Sequence, residues 1–326
     1  MTAAIDLAPF GLAVGHATDD AGGTGLTVVR GIAHPFRCAA AVVGRATGTR
    51  ELDAASPRHL VDRVDAVLLT GGSAFGLDAA GGVMRWMEER GRGFAVPGGV
   101  VPIVPTAVLF DLVPCGRFDA RPTAAMAYEA CDRATSREIA EGSVGAGTGA
   151  TVGKLAGAPS AMKGGVGLAV ASSGPLSCAA IAAVNALGDV RDAAGRILAG
   201  ARSADGGFRD GVALVREAAA TVGFRDAAAT NTTLAVVAVN VTFDRVALEQ
   251  LARAASAAFL RRITPAGTTY DGDVVFAICP LDGPRADALG AEGLAVEALE
   301  SAIERAVRTA RGRDGIPGLA DGAGIA

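Results

Sequence analysis

The chain has 326 residues, half of them hydrophobic, and a formal net charge of −4. This length can bury a sizeable core, and since aromatic residues make up only 4% of the chain, we expect that core to be built from Ala, Gly, Val and Leu. The acidic balance, without a basic patch, predicts that nucleic acid is not a partner. There is no run of about eighteen apolar residues and no basic leader before an apolar stretch, so we expect a cytoplasmic protein without membrane contact.

The cysteines and histidines give no sign of a metal or cofactor site. Five cysteines are present, with no C-x-x-C pair, and their apolar neighbours are typical of buried reduced thiols. The three histidines are too scattered along the chain to suggest a metal site. We therefore expect neither a metal nor a cofactor.

The first half of the chain predicts one clear buried strand and two helices. Residues Val64–Thr70 form a continuous apolar run that ends in two glycines, which is typical of a buried strand. The pattern then predicts a helix over Ala74–Arg90, a proline-punctuated extended stretch over Val100–Leu112 and a short helix over Pro122–Arg133. The apolar face of the first helix consists of Leu77, Ala80, Met84 and Met87.

Two further strands precede a long segment of different composition. We predict strands over Val166–Ala171 and Cys178–Val184. Residues Ala199–Ala229 are rich in Gly, Ala, Asp and Arg, and the only periodic stretch among them is Gly211–Ala220. We interpret this segment as a mobile connection with one helix, and as a processing segment more than a domain linker.

The last third of the chain predicts two buried strands and two amphipathic helices. The strands cover Thr232–Val239 and Asp273–Cys279, and the helices cover Asp244–Leu260 and Ala295–Arg311. The core face predicted for the first of these helices consists of Ala247, Leu251, Ala254, Ala255, Ala258 and Phe259. The mixture of strands and helices predicts an α/β fold in which helical layers cover the sheets.

A glycine-rich segment resembles a phosphate-binding loop but departs from its spacing. In residues 144–154 (VGAGTGATVGK), Thr148 occupies the position that requires Gly, and Leu155 follows where Ser or Thr is required. Lys154 is therefore either a surface lysine or a functional one. The small residues before it strengthen the functional alternative without displacing the surface one, because they let the backbone pass close to a ligand.

Two other motifs are weak when taken alone. Residues 71–76 (GGSAFG) are one residue out of register with a nucleophile elbow, and the sequence favours a strand-to-helix turn capped by Ser73. Residues 230–233 (TNTT) stand before a buried strand, where polar residues are commonplace.

Six segments in a fixed order carry a resemblance to a known family. They are VDAVLLTGGSAFGLDAAGGVMRWMEERGRGF (Val64–Phe94), VPIVPTAVLFDL (Val101–Leu112), GTGATVGK (Gly147–Lys154), AVNALGD (Ala183–Asp189), TNTTLAVVAVN (Thr230–Asn240) and YDGD (Tyr270–Asp273). Together they resemble the DmpA family of L-aminopeptidase/D-esterases, which includes β-aminopeptidases and nylon-oligomer hydrolases.

The resemblance implies a nucleophile and four supporting residues. The nucleophile begins the strand TTLAVVAV and is Thr232, which self-cleavage after Asn231 frees as an N-terminal residue. The supporting residues are Lys154, Asn185, Asp271 and Asp273. A Thr with two Asp residues is similar to the nylon-oligomer hydrolases, whereas aminopeptidase members carry a Ser nucleophile and a Ser/Glu pair. Several members place a Tyr where this chain has Phe110, so a hydroxyl role at that position is in doubt.

The resemblance also implies the architecture. The family fold is a four-layer α/β/β/α sandwich similar to the N-terminal-nucleophile hydrolases. We expect one hydrolase domain over residues 1–326, processed into a large chain, 1–231, and a small chain, 232–326. We expect the processed heterodimer to form a homo-oligomer, a tetramer.

The implied residues suit amide hydrolysis. A Thr hydroxyl needs a base, and the freed α-amine of Thr232, with a reference pKa of about 7.7–8.0, can accept its proton near neutral pH. Lys154 would favour the neutral amine or steady charge on the substrate oxygen, and Asn185 would donate an N–H to that oxygen. Asp271 and Asp273, on one face of a strand entrance, would orient Thr232, although alone they suggest only a solvated turn.

Two other functions remain open at this stage. An acyltransferase of the ornithine acetyltransferase type also uses an internal Thr, and there an amine intercepts the acyl-enzyme instead of water. A non-catalytic homologue would keep the scaffold, bind a small molecule and remain unprocessed. The substrate is open as well: peptide N-termini, β-peptides, D-residue amides and synthetic oligoamides all fit, with either exo- or endo-cleavage.

Overall fold

The computed structural model describes residues 5–219 and 231–322. The helices in these ranges are α1 (Ala80–Glu88), α2 (Ala124–Asp132), α3 (Gly211–Ala219), α4 (Arg245–Ala255), α5 (Ala257–Arg262) and α6 (Ala288–Arg308). Short 3-10 helices cover Ala8–Phe10, Leu52–Ala55, Ser73–Ala79, Gly145–Gly147, Lys154–Ala156, Ala158–Ser160 and Leu319–Asp321. The strands are β1 (Leu12–Asp19), β2 (Thr24–Gly31), β3 (Phe36–Val42), β4 (Thr49–Arg50), β5 (Ala66–Thr70), β6 (Phe94–Val96), β7 (Gly99–Val101), β8 (Thr106–Val108), β9 (Thr151–Val152), β10 (Met162–Lys163), β11 (Gly165–Ser173), β12 (Leu176–Asn185), β13 (Asp189–Arg191), β14 (Ile197–Ala199), β15 (Ala201–Arg202), β16 (Phe208–Arg209), β17 (Thr232–Val239), β18 (Ile263–Thr264) and β19 (Val274–Pro280).

Two five-stranded sheets dominate the fold. The first has the strand order β1-β2-β5-β8-β4, and the second has the order β11-β12-β17-β19-β3. Each sheet is antiparallel except at one pair, β5 with β8 in the first and β17 with β19 in the second. A parallel pair needs a long crossover, and α4 and α5 provide it between β17 and β19.

The two sheets face each other and carry helices on their outer faces. The layer between the sheets is filled by aliphatic and aromatic side chains, among them Val29, Val67, Leu69, Ile181, Leu234, Val236 and Phe276. Helices α1 and α2 pack on the outer face of the first sheet, and α4, α5 and α6 pack on that of the second. This arrangement confirms the predicted four-layer α/β/β/α sandwich.

The abundance of Gly and Ala has a direct packing consequence at α6. A Cβ added at Gly167 of β11 would lie 2.1 Å from the carbonyl oxygen of Ala302, and one at Gly165 would lie 2.4 Å from that of Ala306. No real Cβ fits at these distances, so the helix backbone approaches the sheet directly. Small residues therefore set the separation between the outer helical layer and the second sheet.

Most predicted elements are confirmed, and the differences have local causes. Strand β17 has the predicted bounds, whereas the helix predicted over Asp244–Leu260 is interrupted at Ser256, whose hydroxyl donates to the Arg253 carbonyl at 2.6 Å. Helix α6 begins seven residues before its predicted start, at a cap formed by Asp287. The predicted cap at Ser73 is wrong, because Gly72 occupies the cap position and no side chain caps this helix.

The segment predicted to be a mobile connection is partly regular. Helix α3 forms within it, as expected, and β15 pairs with β16 in a short hairpin. The described part thus has regular backbone structure, and its predicted mobility stays a prediction. The remainder, residues 220–230, lies outside the described residues.

Candidate active site

Three adjacent inner strands of the second sheet bring predicted site residues together at one end of the sheet. Asn185, the last residue of β12, lies opposite Thr232, the first residue of β17. On the other side, Asn231 forms a parallel bridge with Asp271, just before β19. The register of β17 and β19 continues this offset, with Leu234 opposite Val274. Strand order thus assembles residues that are far apart in sequence.

The Thr232 hydroxyl lies beside the peptide bond that we predict to be cut. Its Oγ1 donates to the carbonyl oxygen of Asn231 at 2.6 Å, and the backbone N–H of Gly272 donates to the same oxygen at 2.9 Å. Thr232 is only 4% exposed. A carbonyl that accepts two hydrogen bonds away from bulk water is polarised toward attack at its carbon.

Gly272 leaves the space that this arrangement needs. A Cβ at this position would lie 2.7 Å from Thr232 Oγ1 and 2.6 Å from the Ala46 carbonyl oxygen. Since Ala46 N–H also donates to the Asp271 carbonyl at 2.9 Å, the backbone cannot move away freely. Between the two aspartates, only glycine therefore permits the observed position of the hydroxyl.

Replacing Gly272 with Ala should slow self-cleavage by at least about tenfold, because the new methyl displaces the Thr232 hydroxyl by a few tenths of an ångström or more. The rate can be followed by denaturing electrophoresis of freshly synthesised protein. The matched control is Gly293→Ala in α6, where an added Cβ meets no atom within 4 Å. Equal processing of Gly272→Ala and wild type would contradict this role for Gly272.

Lys154 and Asn185 form a fixed pair next to Thr232. Lys154 Nζ donates to the backbone carbonyl of Asn185 at 3.1 Å and to its side-chain Oδ1 at 3.0 Å. The N–H of Thr151 donates to the same Oδ1 at 3.0 Å, and Asn185 Nδ2 donates to the Phe110 carbonyl at 2.9 Å. The amide group is therefore oriented by contacts on both its ends. Its predicted role as an oxyanion donor stays a prediction.

The glycine-rich segment before Lys154 passes close to a neighbouring part of the backbone. Gly153 has a φ of +70°, and a Cβ there would lie 2.1 Å from the carbonyl carbon of Gly200, so this turn requires glycine. Burial lowers the pKa of Lys154 to about 7, although the carboxylate of Asp271 opposes that shift. Near neutral pH the Lys154 side chain is therefore present in both its charged and its neutral form.

Each of the two aspartates accepts hydrogen bonds from a nearby Thr residue. Asp273 Oδ1 accepts the N–H of Thr233 at 2.6 Å, and Asp271 Oδ2 accepts the N–H and the hydroxyl of Thr268 at 2.8 and 2.6 Å. Burial, together with the nearby charge of Asp271, raises the pKa of Asp273 to about 7. These contacts fix the strand entrances. A direct orienting role on Thr232 stays a prediction.

A buried lysine and a buried aspartate near the site escaped the sequence analysis. Lys163 is fully buried and donates through Nζ to the carbonyls of Thr148 and Ala150 at 2.8 and 2.6 Å. Asp111 accepts hydrogen bonds from Thr24 Oγ1 and Gly72 N–H, both at 2.7 Å, and burial raises its pKa to about 6. Both residues stabilise segments that contact Asn185. Their only sequence signal is a charge next to glycine-rich or apolar stretches.

Three further findings concern the cysteines, the potential metal ligands and the helices of the described ranges. All five cysteines, which lie within them, are buried free thiols, as predicted. Across residues 5–219 and 231–322, no group of three or more His, Cys, Asp or Glu side chains is arranged to hold a metal ion. Every helix in these ranges is too short or too polar to span a lipid bilayer.

Comparison with known proteins places the chain in a family. Peptidase family S58 matches residues 6–319. An uncharacterized aminopeptidase of Mycobacterium leprae is 43% identical over 255 residues, an alignment that covers 72% of this chain and 65% of that protein. The chain thus spans just under two thirds of that relative's length. A 6-aminohexanoate-oligomer endohydrolase of Kocuria sp. is 32% identical over 277 residues, covering 82% of this chain and 72% of the relative.

Solved structures show the same fold. A β-aminopeptidase of Burkholderia sp. superposes with a TM-score of 0.67 and 19% identity, covering 95% of this chain and 88% of the other. The L-aminopeptidase/D-Ala-esterase/amidase of Ochrobactrum anthropi, described as a variant of the Ntn hydrolase fold, superposes with a TM-score of 0.65 and 18% identity, covering 92% and 85%. These likenesses agree with the four-layer sandwich.

Proposed function

The chain belongs to peptidase family S58, and from that premise we propose that it is an amide-bond hydrolase that first cleaves itself between Asn231 and Thr232. The observation that carries this proposal is the position of the Thr232 hydroxyl, which contacts the carbonyl of the bond to be cut. Gly272 N–H contacts the same carbonyl oxygen, and Asn185 lies across from Thr232 on the neighbouring strand.

We propose that self-cleavage proceeds as an acyl shift. Thr232 Oγ1 attacks the carbonyl carbon of Asn231, and Gly272 N–H stabilises the negative oxygen that forms. The C–N bond then breaks, and the Thr232 nitrogen takes the proton that the hydroxyl loses. Water hydrolyses the resulting ester, which leaves Asn231 as a carboxylate and Thr232 with a free α-amine and a free hydroxyl.

Turnover uses the same hydroxyl on an external amide. The freed α-amine accepts the Thr232 hydroxyl proton as Oγ1 attacks the substrate carbonyl, and returns a proton to the leaving amine. The acyl-enzyme is then released by water. Lys154 lies against Asn185 in this site, where its positive charge favours the neutral, basic form of the α-amine.

Processing should be visible directly. In proportion to their 231 and 95 of the 326 residues of a 32.3 kDa chain, the fragments should have masses of about 23 and 9 kDa. They should stay associated under native conditions, because β17, β19 and α6 belong to the smaller fragment and lie within the common core. Intact mass under denaturing conditions checks this. An active preparation that contains only full-length chain would contradict self-cleavage.

We propose that the substrate is a peptide or an oligoamide, as the names of the relatives suggest. A panel of aminoacyl nitroanilides, β-peptides and linear oligoamides, assayed with the processed protein, tests this assignment. Activity on none of them, by protein shown to be processed, would contradict amide hydrolysis. The homo-oligomer, the cytoplasmic location and the absence of a nucleic-acid partner stay predictions.

A further inference from the structure

A cavity of about 220 Å³ lies next to the candidate site. Its lining consists mostly of aliphatic groups from Leu155, Leu187, Val215 and Pro265, completed by residues 268–270. For comparison, a dry cavity of about 150 Å³ in another protein holds a benzene molecule. This cavity therefore has room for a side chain the size of Leu or Phe.

Chain segments that carry site residues also line this cavity. Leu155 directly follows Lys154, and Leu187 follows Asn185 by two positions. Thr268, on the third segment, donates two hydrogen bonds to the carboxylate of Asp271. Three of the segments that line the cavity therefore also carry residues of the candidate site or hydrogen-bond to one.

The acyl side of the bond to be cut lies on the Asp271 side of the site. Paired residues of neighbouring strands direct their side chains to the same face, so the side chain of Asn231 shares a face with that of Asp271 and hence with Thr268. Any acyl group carried by Thr232 occupies the place that Asn231 holds before cleavage. The cavity is therefore on the acyl side.

The environment of the Asn231 side chain indicates which kind of side chain the acyl side of the site favours. Its side chain is 99% buried, and neither its Oδ1 nor its Nδ2 has a hydrogen-bond partner in the described part of the chain. A buried amide without a partner is unfavourable, whereas an apolar group of the same shape loses nothing there. The acyl side therefore favours apolar groups over polar isosteres.

Helix α3 contributes the remaining wall. The N–H of Gly211 donates to the buried carboxylate of Asp189 at 2.7 Å, which fixes the start of the helix. A Cβ at Gly211 would lie 3.1 Å from Leu155 Cδ1, so α3 packs closely on the segment after Lys154. Val215, one turn farther along, is then held at the cavity wall.

We propose that this cavity is the acyl-side specificity subsite, and that it takes an uncharged aliphatic or aromatic side chain of the substrate's acyl residue. This inference rests on the proposed function. Leu and Asn side chains have nearly the same shape, so they separate polarity from size. With the same 4-nitroaniline leaving group, processed enzyme should hydrolyse the leucyl substrate with a kcat/KM at least about tenfold above that of the asparaginyl substrate.

A space-filling variant tests the location of the subsite. Val215→Phe places a ring in the cavity and should lower the ratio of leucyl to glycyl nitroanilide kcat/KM at least about tenfold, since glycine has no side chain to exclude. The matched control is Val246→Phe on α4, where the residue is 68% exposed and outside the cavity; it should leave the ratio unchanged. A loss of stability alone would lower both substrates together and leave the ratio unmoved.

The outcomes separate this inference from the function on which it rests. Equal or better hydrolysis of the asparaginyl substrate, or an unchanged leucyl-to-glycyl ratio in Val215→Phe, overturns the subsite while amide hydrolysis stands. The same holds if the enzyme hydrolyses other amides but not the leucyl substrate. Processed protein that hydrolyses no amide at all contradicts the proposed function itself.

Discussion

Thr232→Ala should remain a single full-length chain and should lose roughly 10⁴-fold or more of its amide hydrolysis. One hydroxyl carries out both steps: it contacts the carbonyl of Asn231 before cleavage and attacks substrate afterwards. Removing it leaves no nucleophile for the acyl shift, and without cleavage no α-amine is freed. Electrophoresis under denaturing conditions and a nitroanilide assay measure the two losses on the same preparation.

Two companion variants make this test specific. Thr232→Ser keeps the hydroxyl and should retain part of both processing and turnover. Thr233→Ala changes the next residue, whose contact with Asp273 uses only its backbone N–H, and should be processed like the wild type. Normal processing of Thr232→Ala would mean that the nucleophile is misassigned. Loss of processing in Thr233→Ala would indicate instead that the strand entrance as a whole is sensitive.

The sequence predicted the elements whose signal is continuous. Strand β17 is buried at every position, so its apolar run and its bounds coincide. The predicted start of helix α6 is seven residues too late, because Gly290 and Gly293 weaken the helical pattern before Ala295. The start is instead fixed by Asp287, whose carboxylate accepts the Gly290 N–H at 2.9 Å. Caps depend on single contacts, which periodicity does not reveal.

The site residues were predicted from the family resemblance, and their contacts with one another were not predicted. The resemblance pointed to Lys154 and Asn185, which the fold brings within 3.0 Å of each other. Nothing in the sequence places the Gly272 N–H on the Asn231 carbonyl, or Lys163 against the glycine-rich segment, because those contacts join strands and loops from distant parts of the chain. Such contacts become readable only when the strand order is known.

The second large effect concerns charge beside the nucleophile. In processed Lys154→Met, the acid limb of the kcat/KM–pH profile should move to higher pH by about one unit. Burial lowers the pKa of Lys154 to about 7, so this side chain is mainly charged below that pH. Its charge disfavours protonation of the Thr232 α-amine. Without it the amine's pKa rises, the amine stays protonated to higher pH, and activity is lost sooner as the pH falls.

Two controls separate this electrostatic role from others. Lys154→Arg keeps a positive charge and should leave the limb near its wild-type position. Asn185→Ala should lower kcat/KM by about 10²-fold at every pH without moving the limb, because a neutral hydrogen-bond donor to the oxyanion does not titrate. Each variant is compared only after denaturing electrophoresis shows it to be processed.

The shape of the Lys154→Met profile decides among three roles. A limb that moves upward supports tuning of the α-amine. A limb that stays in place while kcat falls assigns Lys154 to charge in the transition state and refutes the tuning. A limb that disappears means that the wild-type limb was the titration of Lys154 itself, whose neutral amine would then be the base, and the α-amine of Thr232 would lose that role.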